Sequence, residues 1–171
     1  MKNLEVKARV ANLEAALETA ERLAGDCHAD IQQTDTYFEV HEGRLKLREY
    51  DDNAELIFYN RPDSGEPRYS DYHISEVSNP YVVKKVIGSN LGVKTVVKKR
   101  RRLFLIENTR IHVDEVEHLG TFLEVEVILD ENTRPDDSRR MVGRLINEFG
   151  IKEADLVEGS YCDLLEQKDL E

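Results

Sequence analysis

The 171-residue sequence predicts an α+β fold, an antiparallel sheet or barrel of eight strands interrupted and followed by helices. Three observations carry that expectation. Apolar and charged residues alternate along most segments, the period of a strand with one apolar and one charged face. Most of these segments are joined by short turn sequences. Three other stretches switch to helical spacing and carry recognisable start and stop residues.

Residues 4–10, Leu-Glu-Val-Lys-Ala-Arg-Val, alternate without a break and open the chain as a strand. A helix follows, with Asn12 as N-cap, Leu13, Ala16, Leu17, Ala20 and Leu23 as its apolar stripe, and Gly25 as its stop. Further strands are expected near 32–40, 44–50, 54–61, 67–76, 94–106, 109–117 and 121–129. Gly43, Asp51-Asp52-Asn53, Pro62 to Gly65, Asn108 and Leu119-Gly120 supply the turns between them. A second helix opens at Asn79-Pro80, with proline in the first helical position, and ends by Gly92. A third runs from about Asp136 to Phe149 and stops at Gly150. With no repeat, low-complexity tract or linker, residues 1–171 read as one domain.

Lys and Arg number 24 and Asp and Glu 35, a formal net charge of −11, so nucleic acid and anionic membranes are not expected partners. Any anion site must be a local concentration of cations in an acidic protein. Cys27 and Cys162 have no metal-ligand spacing and read as two buried, reduced thiols. With no apolar run of membrane length and no signal-peptide pattern, the expected location is cytoplasmic.

The informative feature is which charges share a face. Arg44, Lys46 and Arg48 project to one side of their strand, and Leu45 and Leu47 to the other. In Lys98-Lys-Arg-Arg-Arg102, Lys99 and Arg101 share one face and Lys98, Arg100 and Arg102 the other. Glu124 and Glu126 share a face, Arg110, His112 and Asp114 share another, and Glu5, Lys7 and Arg9 form a row on the first strand. On any single strand such charges read as a solvated face, with ion pairs worth about a few tenths of a kcal/mol each. Together they are sorted into separate cationic and acidic patches. Cations suit phosphate oxygens, and carboxylates at Glu5, Asp114, Glu124 and Glu126 suit Mg²⁺ or Mn²⁺. The residues therefore point to a metal–polyphosphate site.

An ordered set of segments resembles the CYTH family, the triphosphate tunnel metalloenzymes, in its class IV adenylyl cyclase-like branch. These are Asn3-Leu-Glu-Val-Lys7, Gln33-Thr-Asp-Thr-Tyr-Phe38, Arg44-Leu-Lys-Leu-Arg-Glu49, Val97-Lys-Lys-Arg-Arg101, Ile111-His-Val-Asp-Glu-Val116, Leu119-Gly120 and Phe122-Leu-Glu-Val-Glu126. The resemblance implies an eight-stranded antiparallel barrel that forms a tunnel, with helices packed outside and charges within. It implies phosphate contacts from Lys7, Arg44, Lys46, Arg48, Arg61, Lys99 and Arg101, and Arg9, in a row with Lys7, is expected to join them. It implies metal contacts, to Mg²⁺ or Mn²⁺, from Glu5, Asp114, Glu124 and Glu126. The family's ExExK motif is altered, because its first Glu is Asn3 here, so weaker metal binding or one metal in place of two is expected.

The branch resemblance implies conversion of ATP to cyclic AMP and pyrophosphate. Hydrolysis of tripolyphosphate, thiamine triphosphate or a nucleoside triphosphate is the alternative, and a non-catalytic nucleotide or polyphosphate sensor is a third reading. An RNA-binding surface on Lys98–Arg102 is a fourth and disfavoured reading. A homodimer is left open. His112 could touch the ligand or serve structure; Ser160-Tyr161 is expected to pack against the barrel, near the tunnel mouth.

Overall fold

The structure, a computed structural model, describes residues 2–131 and 133–170. Among these, eight strands close into an antiparallel barrel. They are β1 (Lys2–Arg9), β2 (Ala29–Phe38), β3 (Arg44–Tyr50), β4 (Asn53–Asn60), β5 (Arg68–Glu76), β6 (Val93–Ile106), β7 (Thr109–Val116) and β8 (Gly120–Leu129). Around the barrel the order is β1-β5-β4-β3-β2-β6-β7-β8, and β8 returns to β1 through pairs such as Glu5 with Glu126 and Lys7 with Glu124. Closure leaves no sheet edge exposed. The turns match their composition: Asp51 and Glu107 take positive φ in tight hairpins. At Gly43 a side chain would meet the Tyr59 carbonyl oxygen at 2.7 Å.

The barrel is inside-out relative to a packed β-core: its apolar face points outward and is covered by helices. Leu4 and Val6 of β1, Ile111 and Val113 of β7, and Leu123, Val125 and Val127 of β8 are buried against α1 (Leu13–Ala24) and α3 (Pro135–Glu148), which contribute Ala16, Ala20, Val142 and Leu145. On the other side Phe38, Leu47 and Ala54 pack under Val83 and Ile87 of α2 (Pro80–Leu91). The helix starts follow their caps, with the Asn12 side chain accepting from the Ala15 N–H and Asn79 from Val82. A fourth helix, α4 (Tyr161–Asp169), has no counterpart in the periodicity reading. It begins at a Ser160–Asp163 capping box, and its Tyr161, Cys162 and Leu165 pack with Tyr37, Val97, Val116 and Phe122 from the barrel. No helix among the described residues is long and apolar enough to cross a membrane. Of the two thiols expected to be buried only Cys162 is; Cys27 is exposed in the turn before β2, because the charge-rich segment there offers it no apolar cover.

Candidate functional site

Most apolar residues of β1, β7 and β8 face the helices, and the charged residues that alternate with them face the lumen, together with those of β3 and β6. They line a cavity of about 140 Å³. Nine of the expected site residues lie on its wall: Glu5, Lys7, Lys46, Arg48, Arg61, Lys99, Arg101, Glu124 and Glu126. Three do not. Arg9, at the exposed end of β1, donates to the Leu119 carbonyl at 3.3 Å and lies over the Phe122 ring. Arg44 is held by Asp63 and Asp163 at 2.8 and 2.7 Å. Asp114 is fully buried behind Arg101, which grips it bidentately at 2.7 and 2.6 Å, and it accepts from the Tyr161 hydroxyl at 2.8 Å.

The cationic side is organised by a residue given no role above. Asp35 on β2 is completely buried and accepts from Lys46 and Lys99, both at 3.0 Å, and from Arg48 at 2.8 and 2.9 Å. Burial opposes its ionisation, but Arg48, Lys46 and Lys99 outweigh that and hold its carboxyl well below the usual range. The cations feel the opposite pressure. Burial and the neighbouring Arg48 bring the Lys46 ammonium down to about 7, and burial with Arg101 and Arg48 brings Lys99 to about 8. Each ammonium has three donors and Asp35 occupies one, so donors remain for an anion in the lumen. Beyond Asp35, Lys7 pairs with Glu124 at 2.9 Å, and Arg101 with Glu124 at 2.6 Å. Arg61 and Arg68 converge on Glu5 at 3.1 and 3.6 Å and both donate to the Gly159 carbonyl.

Among the described residues seven largely buried lumen cations (Lys7, Lys46, Arg48, Arg61, Arg68, Lys99, Arg101) therefore face five carboxylates (Glu5, Asp35, Asp114, Glu124, Glu126). The interior is net positive in a protein of charge −11. The run Lys98–Arg102 is split accordingly. Lys99 and Arg101 enter the lumen, while Arg100 pairs outside with Asp30 at 2.7 Å and Arg102 with Glu115 at 2.7 Å.

The acidic side fits a divalent cation. Ligand atoms of His112, Glu124 and Glu126 lie within 4.8 Å of one another. Both His112 ring nitrogens and the Asn3 Oδ1 atom are buried without a hydrogen-bond partner. Burial, Glu124 and Glu5 together push Glu126 up to about 7, the response of a carboxyl crowded by others. Burial and Arg101 hold His112 well below its ordinary value, so its imidazole is neutral and free to ligate. A divalent ion would relieve the crowding and take up one orphaned His112 nitrogen; the carboxylate and amide oxygens suit a hard cation such as Mg²⁺ or Mn²⁺, and the imidazole donor favours the softer of the two, Mn²⁺.

The lumen is stoppered at one end by Tyr161 at the start of α4. Its ring lies 4.2 Å from the Lys7 ammonium and 5.4 Å from that of Lys99, and packs edge-on to Phe122. A seine of ion pairs fixes α4 there, including Arg44 to Asp163 and Lys94 to Glu166.

The CYTH domain profile matches residues 1–161 of this chain. The chain belongs to the CYTH family. Over 96% of its length it is 23% identical to a presumed adenylate cyclase of Methanocaldococcus jannaschii, covering 98% of that protein. The structure of a Pyrococcus horikoshii OT3 protein superposes with a TM-score of 0.84 at 26% identity, over 95% of this chain and 98% of the other. A Hippeastrum protein assigned as an adenylyl cyclase, and described as having a dominant triphosphatase activity, superposes with a TM-score of 0.68 at 16% identity, over 99% and 96% of the two chains. The lumen of this CYTH barrel is lined by charged residues, with Asn3 on the wall near Glu5.

Proposed function

We propose that this CYTH chain is an enzyme that binds a triphosphate with Mg²⁺ or Mn²⁺ inside its barrel and cleaves a phosphoanhydride bond. The observation that carries the reading is the convergence of a net-positive, buried cation set with the His112–Glu124–Glu126 group on one cavity. Lys7, Lys46, Arg48, Arg61, Lys99 and Arg101 would bind phosphate oxygens, holding the chain of phosphates in line and offsetting the charge that develops as the bond breaks. Glu124, Glu126 and His112, with Glu5 and Asn3 beside them, would hold the metal, which supplies Lewis-acid polarisation of phosphoryl oxygens.

Two reactions use this arrangement. In cyclisation the ribose 3′-oxygen of ATP bonds to the α-phosphorus, its proton is lost and pyrophosphate leaves. This reading comes first, supported by the near full-length likeness to the Methanocaldococcus protein. In hydrolysis water attacks the terminal phosphorus and orthophosphate leaves; the Hippeastrum neighbour favours it as a second reading. Phosphorus NMR with ATP, tripolyphosphate or thiamine triphosphate and Mg²⁺ or Mn²⁺ separates them. Pyrophosphate with cyclic AMP supports cyclisation, orthophosphate supports hydrolysis, and binding without turnover would leave a sensor and overturn the enzymatic reading.

Two predictions follow from single residues. Asn3→Glu adds a carboxylate beside Glu5 and should tighten Mn²⁺ binding; an unchanged affinity by calorimetric titration would count against Asn3 as a weak point. Lys46 and Lys99 lose their charge near pH 7 and 8, and a bound polyanion favours the charged form. Tripolyphosphate binding without metal should weaken from pH 7 to 9, by up to about tenfold per unit for each lysine neutralised. Binding at pH 8 should take up protons, seen as a dependence of the calorimetric heat on the buffer's ionisation enthalpy. A flat affinity across that range would contradict it.

A further inference from the structure

Helix α4 carries a second group of metal-ligating side chains, apart from the lumen. Ligand atoms of Cys162, Asp163 and Glu166 lie within 4.8 Å of one another. The helix explains the spacing. Residues four apart share a face, so Cys162 and Glu166 lie one turn apart on the same side, and Asp163 flanks them. None of the three lines the lumen cavity. No Cys/His pattern announces the group in the sequence, because the cysteine's partners are two carboxylates of its own helix.

Two acidic residues on a helix are ordinary, and a buried cysteine is by itself a small apolar residue. The thiol is what sets this group apart. Cys162 is 1% exposed, and its sulfur has no hydrogen-bond partner among the described residues, whereas the exposed Cys27 donates to the Ala29 and Leu103 carbonyls. Burial, Glu166 and Asp163 together push the Cys162 thiol up to about 12, so the spot is held negative. Each carboxylate also keeps an oxygen open. Asp163 meets Ser160 and Arg44 through Oδ2, and Glu166 meets Lys94 through Oε2 at 3.2 Å. With the thiol ionised, Cys162, Asp163, Glu166 and Asp63 are four anions, against two cations, Lys94 and the Arg44 that Asp63 and Asp163 share. A divalent ion closes that deficit of two. Coordination deprotonates a thiol outright, so binding releases one proton. Sulfur then selects the metal: thiolate with carboxylate suits Zn²⁺ or Co²⁺, whereas Mg²⁺ and Mn²⁺ prefer oxygen alone.

We infer that Cys162, Asp163 and Glu166 form a site for a thiolate-binding divalent ion of the Zn²⁺ class, with water in the fourth position. Such an ion ties the first turn of α4 to its second, and a helix of nine residues is too short to hold itself. The helix begins at Tyr161, so occupancy of this site firms the stopper at the lumen end. The site stands independently of the triphosphate reading.

Co²⁺ alone, a spectroscopic stand-in for Zn²⁺, is titrated into the reduced, unaltered chain and into Cys162→Ser, Cys27→Ser and Glu166→Gln. A thiolate-to-cobalt charge-transfer band in the near ultraviolet reports sulfur coordination, and the His112–Glu124–Glu126 group, which has no sulfur, cannot produce it. The expected result is a saturable band in the unaltered chain and in Cys27→Ser, removed by excess Zn²⁺ and absent from Cys162→Ser. Glu166 is partly exposed, so Glu166→Gln should keep the fold. It should weaken Co²⁺ by at least about tenfold, the loss already seen when an outer partner of a metal ligand is removed. No band in the unaltered chain, or a band that survives in Cys162→Ser, overturns the site. An unchanged affinity in Glu166→Gln overturns it too, and that arm decides the matter should Cys162→Ser fail to fold by circular dichroism.

Discussion

Asp35→Asn should cost about 3–5 kcal/mol of stability, the penalty for removing one partner from a buried ion-pair cluster. Asp35 is the common partner of Lys46, Arg48 and Lys99 and has no exposed surface. An amide cannot neutralise three cations. The two lysines can shed protons, because burial already brings them to about 7 and 8, but Arg48 cannot. The loss should therefore be largest below pH 7 and smaller at pH 9, where only the guanidinium remains charged. A ligand that supplies negative charge in the lumen should compensate. Millimolar tripolyphosphate is expected to raise the melting temperature of Asp35→Asn well above its gain for the unaltered chain. Thermal unfolding at pH 6.5 and 9, with and without tripolyphosphate, checks both parts. A variant as stable as the parent would remove Asp35 from its place as the internal counter-ion. A destabilised variant that tripolyphosphate does not rescue would place the anion site elsewhere.

The strands were legible because each has one face that must be apolar and one that must not. The expected 44–50 and 109–117 correspond to β3 and β7 within a residue, and the helices at 13, 80 and 136 start within a residue of their expected positions. Parity also placed Lys46, Arg48, Lys99, Arg101, Glu124 and Glu126 together in the lumen. What parity leaves open is depth along the barrel axis. Arg9 shares its face with Lys7, but two residues of strand are about 7 Å, enough to carry it to the exposed end. Asp114 alternates correctly with His112 and still lies behind Arg101, because a fully paired carboxylate and a ligand-facing one look alike in sequence. Asp35 was hidden for the same reason: its importance comes from the register that sets Asp35 against Arg48 on one strand and Val97, two residues from Lys99, on the other. Arg68 shares its face with Ser70 and Tyr72, but only pairing with Glu5 across β1 gives it a role. Helix α4 carried a signal that periodicity missed, the Ser160–Asp163 capping box, since nine residues are too few to establish a helical stripe.

Glu126→Gln should separate stability from function. In the metal-free protein Glu126 is destabilised, with a carboxyl pushed up to about 7 by burial, Glu124 and Glu5, against 4.5 in the unfolded chain. The folded state therefore binds the extra proton between those values, and stability contributed by this group is present below about pH 4.5 and lost as pH rises to 7. Above pH 7 the ionised group carries a penalty on the order of 3 kcal/mol, from a shift of about two and a half units. Glutamine keeps the shape without the charge. The variant is expected to unfold at a higher temperature than the parent at pH 8 in the presence of a chelator, with little difference at pH 4.5. Turnover of the preferred triphosphate with Mg²⁺ or Mn²⁺ should fall by about a hundredfold or more, the scale seen when a charge-stabilising group is removed from a reacting centre. The parent should also gain more thermal stability from Mn²⁺ than the variant does, because the ion relieves in one step the repulsion that glutamine has already removed. Lower stability of Glu126→Gln in chelator at pH 8 would show that this carboxylate is a structural partner, and undiminished turnover would remove it from the metal site.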